Sequence, residues 1–168
     1  MIVDFYTEEG TDSYGHTFQD MIAMNNGQLE SSHDVIQWLF PLHEPSNFNP
    51  DAPLVDEETA QILKSNPTSQ ARIKDAVIRY AIFLGFDENF SPTLDFESKS
   101  KHWRRQNNHN HLRITRVIRS LRLFGFEELA QQFFQAVLKA GHDKGCLSEN
   151  TVFYWSKALN DEVFNSLR

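Results

Sequence analysis

The first 63 residues contain no lysine or arginine, although they carry twelve acids. All sixteen basic residues follow, among eleven further acids, and eight of them fall between Lys99 and Arg122 with no acid in between. The net charge of −7 therefore conceals a segregation. Either the basic half meets an anionic partner, or the two halves neutralise each other, and the second reading ranks first. Cysteine is almost absent. Cys146 alone cannot form an internal disulfide and sits in no motif of a cysteine enzyme, which points to an inert thiol in a reducing, cytoplasmic setting. No apolar run approaches the ~20 residues needed to span a membrane. The start, MIVDFYTEEG, lacks the basic and apolar regions of a secretory signal. A Gly-rich phosphate loop, GxSxG and HExxH are all missing, so the chain leans away from catalysis. Sustained alternation of apolar and polar residues is missing too, which argues against a sheet.

What is present is helical. A chain of 168 residues with 40% hydrophobic content and fourteen phenylalanines has enough material for a core, and length favours one domain over 1–168. Thr17 is predicted to cap a helix through Met24, ended by Asn25-Asn26-Gly27. Ser31 or Ser32 caps the next, from His33 to Leu39, and Pro41 stops it. Asp56 starts a helix that ends near Ser65. Thr68 caps a longer one, whose Ile73, Ala76, Val77, Tyr80, Ala81 and Leu84 keep helical spacing up to Gly85. Residues 86–107 read as a loop and as the most mobile segment. Helices follow from Asn110 to Phe124, from Glu127 to Ala140 with Gly141 behind, and from Ser148-Glu149 through Val163. The fold class is all-α: a single compact domain of about six or seven helices with a long Pro-rich ordered loop.

That loop, within HDVIQWLFPLHEPSNFNPDAP, holds four prolines between residues 41 and 53. It has too many prolines for a helix and too many aromatics for a free linker. The helix of residues 112–124 carries an apolar stripe of Ile114, Val117, Ile118, Leu121 and Phe124, with Leu112 and Leu123 on the opposite side. Arg113, Arg116, Arg119 and Arg122 wind round the remainder. Arginines near buried surface need carboxylates, and Asp34, Glu44 and Asp51 are candidates.

IQWLFPLHEPSNFNPDAPL and HNHLRITRVIRSLRLFG, with Trp103 shortly before the second, resemble the conserved region of the opioid growth factor receptor family. The resemblance runs from Val3 to Leu138. It implies a short member without the C-terminal repeats of animal relatives. In animals the family is associated with the pentapeptide Met-enkephalin and with restraint of cell growth, so the resemblance implies a soluble domain that binds a peptide or protein segment. The chain departs from the family pattern at Val35, where Tyr is usual, at His43, where a basic residue is usual, and at His111, where Asn is usual. No catalytic or binding residue carries over.

Candidate sites therefore rest on chemistry. Trp38, Phe40, His43, Glu44, Phe48 and Asn49 could line a groove with His109, Arg113 and Arg116, an arginine taking a peptide carboxylate and Glu44 its amine. A well-packed structural turn ranks ahead of that groove. His33, His43, His109 and His111 offer an enzyme or metal alternative, but His109 and His111 at a helix start point about 200° apart. The alternative for that helix start is Asn108 or Asn110 as its cap. Lys99, Lys101, Arg104 and Arg105, with Trp103, form the basic run of a nucleic-acid alternative, which the overall acidity opposes. No cofactor is expected.

Overall fold

The structure is a computed structural model and describes residues 1–163. The described residues form ten helices and no strand. In chain order these are α1 (Ile2–Thr7), α2 (Phe18–Ile22), α3 (Asn26–Ser31), α4 (His33–Leu39), α5 (Glu57–Ser65), α6 (Pro67–Leu84), α7 (Phe96–Lys99), α8 (His109–Leu123), α9 (Glu127–Lys144) and α10 (Glu149–Asn160). The all-α class is as expected. The helices beyond seven are short pieces, α1, α3 and α7, too brief to show a periodicity. The chain divides into two compact units, one of Met1–Val77 with Leu123–Gly125, the other of Ile78–Arg122 with the chain from Phe126.

The first unit is built on aromatic edges. Phe5 packs against Tyr6, Phe18 and Trp38 with ring centroids 5.2–5.7 Å apart, and Tyr6 meets Phe124 at 4.9 Å. Phe5, Tyr6, Phe18 and Phe124 are essentially sealed from solvent. Each such burial contributes about 2–3 kcal/mol. Helix α1 ends with carbonyls that have no partner inside the helix. Arg72 of α6 supplies one, donating from Nη1 to the Phe5 and Glu8 oxygens at 2.6 Å each, with its guanidinium 5.4 Å from the Phe18 ring centre. A cation is favoured at that helix end.

Several boundaries differ from expectation for local reasons. The helix expected through Met24 stops at Ile22, and Asn25 starts a new one. The Asn25 side chain accepts from the Gln28 amide while Gln28 Oε1 accepts from the Asn25 amide, a reciprocal cap. Helix α6 is capped by Asn66, whose Oδ1 accepts from the Ser69 amide at 2.9 Å, and not by Thr68. Pro67 then occupies the first helical position, where its missing N–H costs nothing.

In the second unit the core holds Phe83, Phe86, Phe96, Trp103, Phe133 and Trp155, all buried. Residues 86–107, expected as a loop, contain α7 and are tied back to α6 near their end. Trp103 Nε1 donates to the Leu84 oxygen at 2.7 Å, filling a vacant carbonyl at the end of α6. Helix α9 runs past Gly141 to Lys144, and Gly145 closes it in the left-handed region at φ 67°. Gly141 instead permits a close approach: a β-carbon there would lie 2.5 Å from the Leu147 side chain. On α8 the stripe Ile114, Val117, Ile118 and Leu121 is fully buried, but Leu112 is 62% exposed. Leu112 and Leu123 share a face three turns apart, so burial of one does not extend to the other.

Candidate functional site

The sequence-predicted residues fall into two groups, one in each unit. The first group is organised by residues 41–54. Pro41 ends α4, and the chain returns through a bridge between Leu42 and Leu54, with the Val55 amide donating to the Leu42 oxygen at 3.0 Å. Inside this span Asn49 is the hub. Its Nδ2 donates to Asp34 Oδ1 at 3.0 Å and to Gln37 Oε1 at 2.7 Å, and its Oδ1 accepts from the Asp51 amide at 3.1 Å. Ser46 Oγ accepts from the amides of Phe48 and Asn49, and from Gln37 Nε2, each at 3.2 Å. Asn and Ser suit this work because their short polar side chains reach nearby backbone.

The hub ties the loop to α4, whose other face is core. Trp38 is 7% exposed and lies 5.2 Å from Phe5, and the Tyr6 hydroxyl donates to the Leu39 oxygen. Phe40 is sealed. His43 Nε2 sits 3.4 Å from Glu44 Oε1, with Glu44 exposed. Phe48, 88% exposed, stands at the tip, and Leu54 is 51% exposed. So one face of this stretch is architecture, and its other side presents an exposed aromatic, Phe48, and an exposed carboxylate, Glu44. Asp34, expected as a partner for arginine, accepts from Asn49.

The second group lies around the start of α8. Asn108 caps it, its Oδ1 accepting from the Asn110 amide at 2.9 Å while its Nδ2 donates to the His102 oxygen at 2.7 Å. His109 is exposed, whereas His111 is 4% exposed. His111 Nε2 lies 2.8 Å from the Trp103 oxygen. A carbonyl only accepts, so Nε2 carries the proton. The ring also packs edge-on against Trp155 at 5.7 Å, and Trp155 Nε1 donates to the His111 oxygen at 2.9 Å. Burial pushes the His111 pKa down, which keeps the imidazole neutral. The two histidines of the His-x-His triplet thus occupy opposite environments. Among the described residues no group of three or more His, Cys, Asp or Glu is gathered to hold a metal ion.

Arg113 is buried, with Nη1 3.4 Å from Asn110 Oδ1. Burial and the neighbouring Arg119 charge lower the Arg116 pKa to about 10. Arg122 bonds Glu127 Oε2 and the Ala158 oxygen at 2.9 Å each, so its carboxylate comes from the start of α9 and not from the acid-rich N-terminal residues. In the basic run Lys99 lies 3.4 Å from Asp95, and Lys101 and Arg105 are exposed. Arg104 is buried, its Nε donating to the Ala140 oxygen and its Nη1 to Glu97 and Ser100. Sequence reasoning placed Arg104 on a solvated loop; the adjacent Trp103 was the available signal that the segment turns inward.

Among the described residues no helix is long and apolar enough to cross a membrane. The family model described as the opioid growth factor receptor conserved region matches residues 4–163. The human opioid growth factor receptor is 35% identical over 122 residues, covering 68% of this chain and 17% of its own length. The opioid growth factor receptor-like protein 1 of Rattus norvegicus is 28% identical over 134 residues, covering 74% of this chain and 26% of its own. The chain thus spans about a quarter or less of these relatives. No solved structure matches it. With the match running almost end to end and taking in both the Pro-rich loop and helix α8, the chain belongs to the opioid growth factor receptor conserved-region family.

Proposed function

We propose that this chain is a non-catalytic module that binds a peptide or protein segment, and that the tip of the 41–54 loop is where it binds. The observation that carries this reading is Phe48: a large aromatic, 88% exposed, on a backbone held by Ser46 and Asn49. Exposed aromatics on ordered frames bury much apolar area on association and lose little conformational freedom, so they serve as anchors. Glu44, on the same loop, is an exposed carboxylate of the chemistry that meets an amine or a basic side chain. The name of the human relative, a receptor for a growth factor, supports a polypeptide ligand. The single buried thiol, Cys146, fits a cytoplasmic setting.

The test is a calorimetric titration with Met-enkephalin and a set of unrelated short peptides, repeated on F48A and E44Q. The reading expects saturable binding by at least one peptide, weakened about tenfold or more by F48A. F48A should melt within about 1 °C of the parent, because an exposed side chain away from caps and cores changes stability little. Equal affinity of F48A and the parent for every peptide that binds, or no binding at all, would overturn it.

A further inference from the structure

A recess of about 230 Å³ opens in the second unit, lined by Glu97, Ser100, Lys101, Arg104, Arg105 and Lys144. Four of its six lining residues are cations and one is a carboxylate, on a chain whose net charge is −7. The cations are of two kinds. Arg104 is buried at the base and held in place: Nε donates to the Ala140 oxygen at 3.0 Å, Nη1 to Glu97 Oε1 at 3.0 Å and Ser100 Oγ at 3.2 Å, and its guanidinium lies 4.9 Å from the Phe96 ring centre. Lys101, Arg105 and Lys144 are exposed at the rim. Arg105 is oriented by a bond from its Nε to the Lys101 oxygen at 2.9 Å, which leaves its terminal nitrogens as donors. Lys144 is 3.9 Å from Glu97 Oε2, too far for a tight pair. Glu97 itself is 73% exposed and already engaged by Arg104.

From this arrangement we propose that the recess is a phosphate-binding site, taking the doubly charged phosphate of a phosphate monoester between Arg105, Lys101 and Lys144, with Arg104 fixing the floor. A phosphate monoester brings close to two negative charges and three acceptor oxygens at neutral pH, which matches three exposed rim cations better than a single carboxylate does. A planar arginine fork with its Nε already engaged loses little freedom in binding it. The overall acidity opposes a polyanion laid along the surface, so a compact anion is favoured over nucleic acid. This site goes beyond the peptide-binding reading and does not depend on Phe48.

The experiment is a ¹H–¹⁵N correlation titration with inorganic phosphate, adenosine monophosphate, and one peptide in phosphoserine and serine forms, against sodium chloride at matched ionic strength. The proposal expects saturable shifts at amides 97–105 and 144 with phosphate-bearing probes, absent with chloride and the serine peptide. R105Q and K144Q should each weaken binding about tenfold, given the strength of charge-assisted hydrogen bonds. Both should keep the parent's melting temperature, and F48A should leave the shifts caused by inorganic phosphate unchanged. Tighter binding of the phosphopeptide or of the nucleotide over free phosphate names the source, and equal binding assigns the site to free phosphate. Shifts that do not saturate, that chloride reproduces, or that survive both substitutions would overturn the proposal. So would a short DNA duplex that binds tightly and is not displaced by phosphate.

Discussion

Asn49 offers the sharpest quantitative test of how the Pro-rich loop is held. Asn49→Ala removes two donated hydrogen bonds, to Asp34 and Gln37, and one accepted from the Asp51 amide. Gln37 is 9% exposed, so its Oε1 would lose its 2.7 Å donor with little water to replace it. Three bonds worth about 1 kcal/mol each, part-buried and partly recovered by water at the exposed Asp51 amide, give a loss of about 2–3 kcal/mol. For a chain of this size that corresponds to a melting temperature lower by about 5–10 °C. The informative assay is amide hydrogen exchange, because it locates the loss. The amides of Phe48 and Asn49, which donate to Ser46 Oγ, and of Ala52, which donates to the Asn49 oxygen, should lose protection first. Asn49→Asp sharpens the logic. It keeps the acceptor for Asp51 but replaces the donor with a carboxylate facing Asp34 and Gln37 Oε1, so it should be worse than alanine at pH 7 and recover as pH falls toward about 4. A variant N49A that melts within about 0.5 kcal/mol of the parent, with those amides still protected, would refute the idea that Asn49 holds the loop.

Three further outcomes follow from buried polar groups and close contacts. Trp103→Phe keeps an aromatic ring but removes the 2.7 Å donor to the Leu84 oxygen and the volume of the pyrrole ring from a sealed site, and denaturant titration should find it at least about 1–3 kcal/mol less stable. Burial holds the His111 pKa below its ordinary 6.5, so the unfolded chain takes up a proton that the folded chain refuses. Stability from this residue is therefore full above about pH 6.5 and declines as pH drops below it, and His111→Gln, which can still donate to the Trp103 oxygen, should flatten that decline in melts taken from pH 7.5 to 5. Gly141→Ala forces a β-carbon within 2.5 Å of the Leu147 side chain, so thermal melting should show a loss of about 1–3 kcal/mol that Leu147→Ala partly restores.

These cases also mark where sequence reading succeeds and fails. The stripe Ile114, Val117, Ile118 and Leu121 was legible because burial at a 3.6-residue period writes itself into residue type. The Asp56 and Ser148 caps were legible for a similar reason, since each side chain accepts from the amide three residues on. Asn25 was misread because asparagine is found both behind helices and in front of them, and only the reciprocal bond with Gln28 shows that this one starts a helix. Gly141 was taken as a helix stop because a glycine that accommodates a neighbour looks the same as one that accommodates a backbone angle. At the candidate sites, the residue types were visible but their depth was not. Trp38 and Arg104 are both buried, and residue type alone does not separate an aromatic in the core from one at a rim; for Arg104 only the neighbouring Trp103 hinted at depth. The hub at Asn49 was visible only as a residue in a loop, because its partners Asp34 and Gln37 lie on the preceding helix.

The division of the chain has a consequence for its synthesis. The first unit recruits Leu123–Gly125, and Phe124 from that short return contacts Tyr6 while its oxygen accepts from Gln70 Nε2 at 3.1 Å. Emerging from the ribosome at about 5–20 residues per second, the N-terminal aromatic cluster waits several seconds or more for a ring encoded over a hundred positions later. Until then Phe5, Tyr6 and Phe18 lack one wall of their enclosure. Over that interval the emerged segment carries twelve acids and no lysine or arginine among its first 63 residues, so its uncovered aromatics sit on a chain of one charge sign, a composition that opposes self-association.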